Sequence, residues 1–236
     1  MKPYYEEFGV RIFCGDSRDL VPQMEAESII TDPVWPNSVF ESVVSPQLLL
    51  AESLKSAAVQ RIAIHLGCDS DPRFLQAVPL KWPFLRVCWL DYARPSYKGR
   101  ILYGSDIAYV FGDPPKAAKG RTVLPGKCMA QKTGFRIQKE IGGRSTTHRY
   151  QDNKRFSGRH HPCPRRIQHV QWLCNWFGGA SVLDPFGGSG TTAVACKQLG
   201  IPCTMIEIEE RYCEIAVKRL AQGVFDLQDE ETAESA

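Results

Sequence analysis

The stretch VLDPFGGSGTTAVA, residues 182–195, sets an acid directly before a glycine-rich turn that opens into helix-forming residues. Glycines at such a turn let backbone N–H groups close on a ligand at a helix start, and the spacing G-x-G-x-x-A is met at Gly188, Gly190 and Ala193. Glu207 stands 19 residues past Gly188, at the end of the next strand-like run. An acid in that place accepts hydrogen bonds from ribose hydroxyls in many adenosine sites. Asp184 decides between ligands. Its carboxylate would repel a pyrophosphate docking on the helix start and would attract an ammonium and a sulfonium. S-adenosylmethionine carries both cations and no phosphate, so the charge favours this methyl donor over a nicotinamide dinucleotide. The expected cofactor-binding set is therefore Asp184, Phe186, Gly187, Ser189, Gly190, Thr191, Thr192 and Glu207. Asp16, which ends the first strand-like run in CGDS, either joins that set or caps a helix.

A second stretch, TDPVWPN at residues 31–37, follows the β-prone run Ser28-Ile29-Ile30. It puts Asp32 and Trp35 on a corner stiffened by Pro33 and Pro36. The carboxylate is a hydrogen-bond acceptor and the indole is a face for stacking. The plainer reading is a loop whose tryptophan packs into the core.

Both stretches need a sheet to hold them. VRIFCGD (10–16), ESIITD (27–32), RIAIHLG (61–67), FLRVCWLDY (84–92), DIAYVFG (106–112), ASVLD (180–184) and CTMIEIE (203–209) read as strands. Helical spacing marks 45–58, 165–177, 191–200 and 211–222, with Ser45 and Pro46 starting the first. Strands alternating with helices predict an α/β, parallel, doubly wound sheet with helices on both faces. In such sheets ligands bind beyond the carboxyl ends of the strands, so Asp32 and Asp184 can face one another across a single cleft. Trp172, Trp176 and Phe177, at helical spacing, are expected in the core or at a subunit contact.

From Ala93 to about Arg159 the periodicity breaks down apart from DIAYVFG. The charge is segregated in the same place: residues 91–171 hold 17 Lys and Arg against 5 Asp and Glu, while the remainder holds 12 against 21. An acidic body with a strongly basic middle is the electrostatic mark of a protein that meets nucleic-acid phosphates. Arg94, Lys98 and Arg100, interleaved with Tyr92, Tyr97 and Tyr103, are candidate DNA-binding residues, as are Lys127, Lys132 and Arg136. The nine cysteines include no C-x-x-C pair, and the N-terminal residues lack the apolar run of a signal peptide. Reduced thiols in a cytoplasm are the expectation, with no membrane association. His148, His160, His161, Cys163, His169 and Cys174 fit no compact zinc spacing, and no metal is expected.

DPFGGSGTT followed by IEIEERYCEIAVKRL resembles the cofactor half of the amino-group DNA methyltransferases, which modify adenine N6 or cytosine N4. TDPVWPN is similar to their Asp-Pro-Pro-aromatic catalytic motif, and HHPCPRR (160–166) to the His-Pro segment that precedes the cofactor motif. The catalytic motif comes first, then a variable basic region, the His-Pro segment and the cofactor loop, which is the order of the permuted β group. The resemblance covers about residues 8–112 and 160–222. It implies one Rossmann-like methyltransferase domain over residues 1–222, a target-recognition segment at about 93–159 and an acidic, disordered tail at 223–236. It also implies S-adenosylmethionine as cofactor, double-stranded DNA as substrate, restriction-modification as a setting and His161 as a further cofactor contact.

Within that resemblance the proline corner acquires a role. An exocyclic base amine is a poor nucleophile because its lone pair is delocalised into the ring. Acceptors on its two N–H groups, the Asp32 carboxylate and the Pro33 carbonyl, would turn the lone pair toward the methyl. Trp35 would stack on the extruded base. Val34 stands where the family usually has a second proline, which costs rigidity but not the acceptor. An acid opening the motif points by resemblance to adenine N6 before cytosine N4. The rival readings are an NAD-dependent oxidoreductase, a DNA-binding relative weakened in catalysis, and a cysteine mechanism through Cys163, which lacks the surrounding pattern. A chain this short is expected to cover its DNA site as a homodimer.

Overall fold

The central strands are apolar on both faces. Ser28–Thr31 and Arg61–Leu66 are buried along their whole lengths, the pattern of strands covered by helices above and below. The computed structural model describes residues 2–35, 45–67, 70–98, 100–115, 147–150 and 166–233, with backbone only at 91–98, 101–104, 147–150 and 222–233. Lys127, Lys132, Arg136 and His161 lie outside the described residues, as do Pro36, Cys163 and most of the segment expected to recognise the target.

Nine described strands form one sheet: β1 (Tyr5–Glu7), β2 (Val10–Cys14), β3 (Ser28–Thr31), β4 (Arg61–Leu66), β5 (Phe84–Lys98), β6 (Ile101–Gly112), β7 (Thr147–Tyr150), β8 (Val182–Asp184) and β9 (Cys203–Glu207). Their order is β1-β2-β9-β8-β3-β4-β6-β5-β7. The five strands β2-β9-β8-β3-β4 run parallel. The expectation of a parallel sheet fails at its margins, where β1 is antiparallel to β2 and β6 is antiparallel to both β4 and β5. Short turns join β1 to β2 and β5 to β6, as antiparallel neighbours allow, and β6 then returns alongside β4.

Five described helices cover the two faces: α1 (Ser17–Leu20), α2 (Pro46–Lys55), α3 (Ile167–Phe177), α4 (Thr191–Leu199) and α5 (Glu210–Ala233). Side-chain alternation splits the core accordingly. Ile30 and Ala63 point to the side of α3, α4 and α5, with Trp172, Trp176 and Phe177 buried there as expected. Ile29, Ile62 and Ile64 point to the side of Leu50 and Leu54 from α2. Ser45 caps α2, its hydroxyl accepting from the Leu48 N–H at 3.4 Å, and Pro46 fills the first turn where no N–H is needed.

Two boundaries differ from the sequence reading. The β5–β6 pair is a long hairpin, continuing to Lys98 and starting again at Ile101, inside the stretch after Ala93 where the periodicity breaks down. A register shift between Asp91 and Ser96 absorbs Pro95 outside the paired positions. Helix α5 runs on to Ala233 through the acidic segment expected to fray after residue 222. Its Glu, Gln, Leu and Ala residues are good helix formers.

Candidate active site

The chain leaves β8 through α4 to β9 on one side and leaves β3 through α2 to β4 on the other. The connections therefore part between β8 and β3, which opens a crevice beyond their carboxyl ends. Asp184 ends β8, and Asp32 directly follows β3. A cavity there is lined by Thr31, Asp32, His65, Asp184, Phe186, Gly187, Gly188, Ser189, Thr191 and Thr192, among others. The sequence expectation that residues 32 and 184 share a cleft is met by this lining.

Asp184 is only 2% exposed. Thr31 Oγ1 donates to its Oδ1 at 2.7 Å, the Phe186 N–H donates to the same oxygen at 3.1 Å, and Thr192 supplies a further side-chain hydrogen bond. Burial pushes its carboxyl up to about 6, opposed by those three donors and reinforced by the nearby charge of Asp32. All three donors are neutral, so this is a buried anion that a cation would complete.

The turn after β8 is shaped by contacts that exclude side chains. A Cβ on Gly187 would fall 2.2 Å from the Met205 side chain, and one on Gly190 would fall 2.6 Å from the Cβ of Ala216. Gly190 also holds φ +81°, a region that costs other residues energy. Glu207 accepts the Gly188 N–H on Oε2 at 2.7 Å and the Glu209 N–H on Oε1 at 2.9 Å. Burial raises its carboxyl, and those backbone donors offset the rise. The Ile208 N–H is a third backbone donor to this carboxylate, and acceptor capacity for a ligand hydroxyl remains.

At the proline corner the Trp35 indole Nε1–H donates to Asp32 Oδ1 at 2.9 Å. Trp35 is half-buried against the α2-side core, and Pro33 is buried. The ring thus both packs and orients the acid. Asp16 takes the capping alternative. It caps α1 by accepting the Arg18 N–H at 2.9 Å, and the Arg18 guanidinium, 2.6 Å away, holds its carboxyl below the usual range. It is not among the residues lining the cavity. Arg100 is exposed in the β5–β6 turn, and Arg94 and Lys98 lie on the β5 backbone of the same hairpin.

Three residues of the site were not singled out from sequence. Thr31 ties the β3 end to Asp184 and looks like any strand threonine. His65 sits in a β4 that reads only as buried. Arg219 reaches from α5 to the glycine turn, donating to Ser189 O at 2.7 Å, Ser189 Oγ at 2.9 Å and Thr191 Oγ1 at 3.1 Å. A register argument could have found Thr31, but nothing local marks Arg219.

A family model described as DNA methylase, of the N6/N4 type, matches residues 168–218, which span α3, β8, α4, β9 and the start of α5. Type II methyltransferase M.ScaI of Streptomyces caespitosus is 27% identical over 268 residues, covering 95% of this chain and 86% of that one. The YubD protein of Escherichia coli (strain K12) is 34% identical over 132 residues, 55% of this chain and 46% of that one. Type II methyltransferase M.SmaI of Serratia marcescens is 42% identical over 57 residues, 24% of this chain and 20% of that one. The chain thus spans less than half the length of the latter two. Among solved structures, the M1.HpyAVI–SAM complex superposes with a TM-score of 0.63 at 18% identity, covering 89% of this chain and 98% of that one. The PvuII DNA methyltransferase, titled cytosine-N4-specific, gives 0.61 at 14% identity over 92% and 88%. At such identities the superpositions speak for the fold alone. Family model and relatives point the same way: the chain resembles N6/N4-type DNA methylases over residues 168–218 and Type II methyltransferase M.ScaI over most of its length.

Proposed function

We propose that this chain transfers the methyl group of S-adenosylmethionine to an exocyclic amine of a base in duplex DNA, adenine N6 in the first instance. The observation that carries the reading is the buried Thr31–Asp184 hydrogen bond, because it joins the strand ends bearing the two acids. The residues fit the cofactor's chemistry. Asp184 is a desolvated anion suited to the cationic methionine end, and Glu207 keeps acceptor capacity for a ribose hydroxyl. The bound sulfonium supplies the activated methyl. Everything else falls to the chain: Asp32 and the Pro33 carbonyl accept the amine hydrogens and aim its lone pair, Trp35 stacks on the base, and the proton released on methylation leaves by way of the Asp32 carboxylate.

Cytosine N4 is the second reading, favoured by the likeness to a structure titled cytosine-N4-specific. The acid at position 32 favours adenine by family resemblance. An oxidoreductase is set aside because Asp184 disfavours a pyrophosphate and the matched relatives are methylases. In this reading the basic segment at about 93–159 tracks the DNA backbone, and a homodimer doubles the footprint on a site, which light scattering with and without DNA would test. Incubating the chain with tritiated S-adenosylmethionine and duplex DNA, then digesting to nucleosides, tests the chemistry. Label in N6-methyl-2′-deoxyadenosine is expected. Label only in N4-methyl-2′-deoxycytidine would overturn the choice of base, and unlabelled DNA would overturn the activity.

A further inference from the structure

Behind the active-site cavity three side chains from separate elements converge. The β4–β6 register sets His65 opposite Ala108, so Asp106, two residues along, shares the His65 face of the sheet. His169, in the first turn of α3, comes down onto that face. Their exposures are 2% for His65, 4% for Asp106 and 0% for His169. One donor atom from each residue lies within 4.8 Å of the other two. His65 Nε2 stands 3.2 Å from Asp106 Oδ2, and the imidazole rings are 6.3 Å apart between centroids, tilted by 52°.

We infer that His65, Asp106 and His169 form a binding site for one divalent transition-metal ion of the zinc class. Ligands about 2.1 Å from one ion stand roughly 3.0–3.4 Å apart in octahedral or tetrahedral geometry, and the His65–Asp106 separation already falls in that interval. From within 4.8 Å of the other two, the third ligand reaches the same interval by an inward shift of at most about 1.4–1.8 Å. Two imidazoles and one carboxylate suit zinc, cobalt, nickel or iron and do not suit magnesium or calcium, which take oxygen ligands. The buried Asp106 carboxylate supplies one negative charge toward a dication, and the two imidazoles supply neutral nitrogen donors when they bind it. Bound there, the ion would clamp β4, β6 and α3 together directly behind the cavity that His65 lines. The expectation of no metal rested on spacing between chain neighbours, whereas this cluster draws on residues 65, 106 and 169. The inference does not depend on the methyl-transfer reading.

The test uses the full chain, stripped by chelator and kept reduced. Zinc chloride titration by calorimetry should show one ion per chain, and cobalt chloride should give visible d–d absorption. His169→Gln and Asp106→Asn should each weaken binding by roughly tenfold or more while circular dichroism shows retained fold. Absence of stoichiometric uptake would overturn the inference, as would uptake unchanged in both variants. If the variants fail to fold, X-ray absorption on the zinc-loaded wild-type chain decides. Nitrogen and oxygen ligation with imidazole scattering supports the site, and sulfur ligands from the cysteines refute it.

Discussion

Burial gives Asp184 opposite effects on folding and on binding. Its folded-state value is raised to about 6 from the ordinary range near 4. A raised acid contributes stability that is present below the unfolded value and is lost as pH rises through the folded one. At neutral pH the empty protein therefore carries an ionised, desolvated carboxylate at a cost of up to about 3 kcal/mol. Asp184→Asn removes that charge and keeps an acceptor for Thr31 and Phe186. The variant should melt several degrees above wild type at neutral pH, with the gap closing as pH falls toward about 4. Wild-type affinity for S-adenosylmethionine should follow the inverse course, rising as the acid ionises between about pH 5 and 7, and should be lost in the variant. Calorimetric titration and melting curves across that range measure both. An Asn variant that melts lower and still binds cofactor would contradict the assignment.

The corner acid makes a second case at the same scale. Asp32→Ala should leave cofactor binding near normal and lower methyl transfer by several orders of magnitude, since the lost acceptor acts mostly in the transition state. Trp35 has two functions that substitution can separate. Trp35→Phe keeps a stacking face and removes the 2.9 Å hydrogen bond to Asp32, whereas Trp35→Ala removes both. Stacking is worth roughly 1–3 kcal/mol per base, so the alanine variant should lose DNA affinity that the phenylalanine variant keeps. The phenylalanine variant should show its defect in kcat, because its acid is less firmly oriented. Equal loss of DNA affinity in both would show that the ring does not stack on the base.

At the scale of elements, the glycine turn is held from outside by α5. Arg219 donates three hydrogen bonds to Ser189 and Thr191, one of them to a backbone carbonyl. Arg219→Gln should raise KM for the cofactor about tenfold with little change in kcat, the cost of one partly buried charge-assisted bond. Lysine should restore part of it, since all three contacts come from the single nitrogen Nη1 and a shorter ammonium can replace one such donor only in part. A matching fall in kcat would give Arg219 a wider role. This brace also shows which parts of the fold were legible in sequence. The β8–α4–β9 unit could be read because its signals are local: an acid, a glycine turn and a helix within 18 residues from Val182 to Leu199. The two-sided burial of β3 and β4 could be read for the same reason. The Arg219 contact, the Thr31–Asp184 bond and the His65–Asp106–His169 cluster are products of tertiary register, which neither periodicity nor spacing encodes. The β5–β6 hairpin was cut short because the periodicity breaks down after Ala93, while cross-strand pairing carries the strands on to Lys98 and back from Ile101.

Across the whole molecule, two regions of opposite charge divide the work. The body that holds both acids of the cleft is net acidic, and the 91–171 span carries a surplus of 12 positive charges. An acidic body repels the phosphate backbone at long range, so productive encounter has to be steered through the basic span. Each phosphate neutralised by a lysine or arginine releases condensed counterions and contributes roughly −0.9 to the slope of log K against log salt. Converting Lys127, Lys132 and Arg136 together to Gln should therefore weaken duplex binding uniformly across sequences and flatten that slope by up to about 3. Cofactor affinity should hardly change, because Asp184 and Glu207 draw their partners from β3, the glycine turn, the start of α4 and the residues just after β9. Fluorescence anisotropy on labelled duplex at several salt concentrations, with calorimetry for the cofactor, reads the two halves separately. A triple variant that loses cofactor binding while keeping its salt slope would place the basic span in the cofactor half and reverse the division of labour argued here.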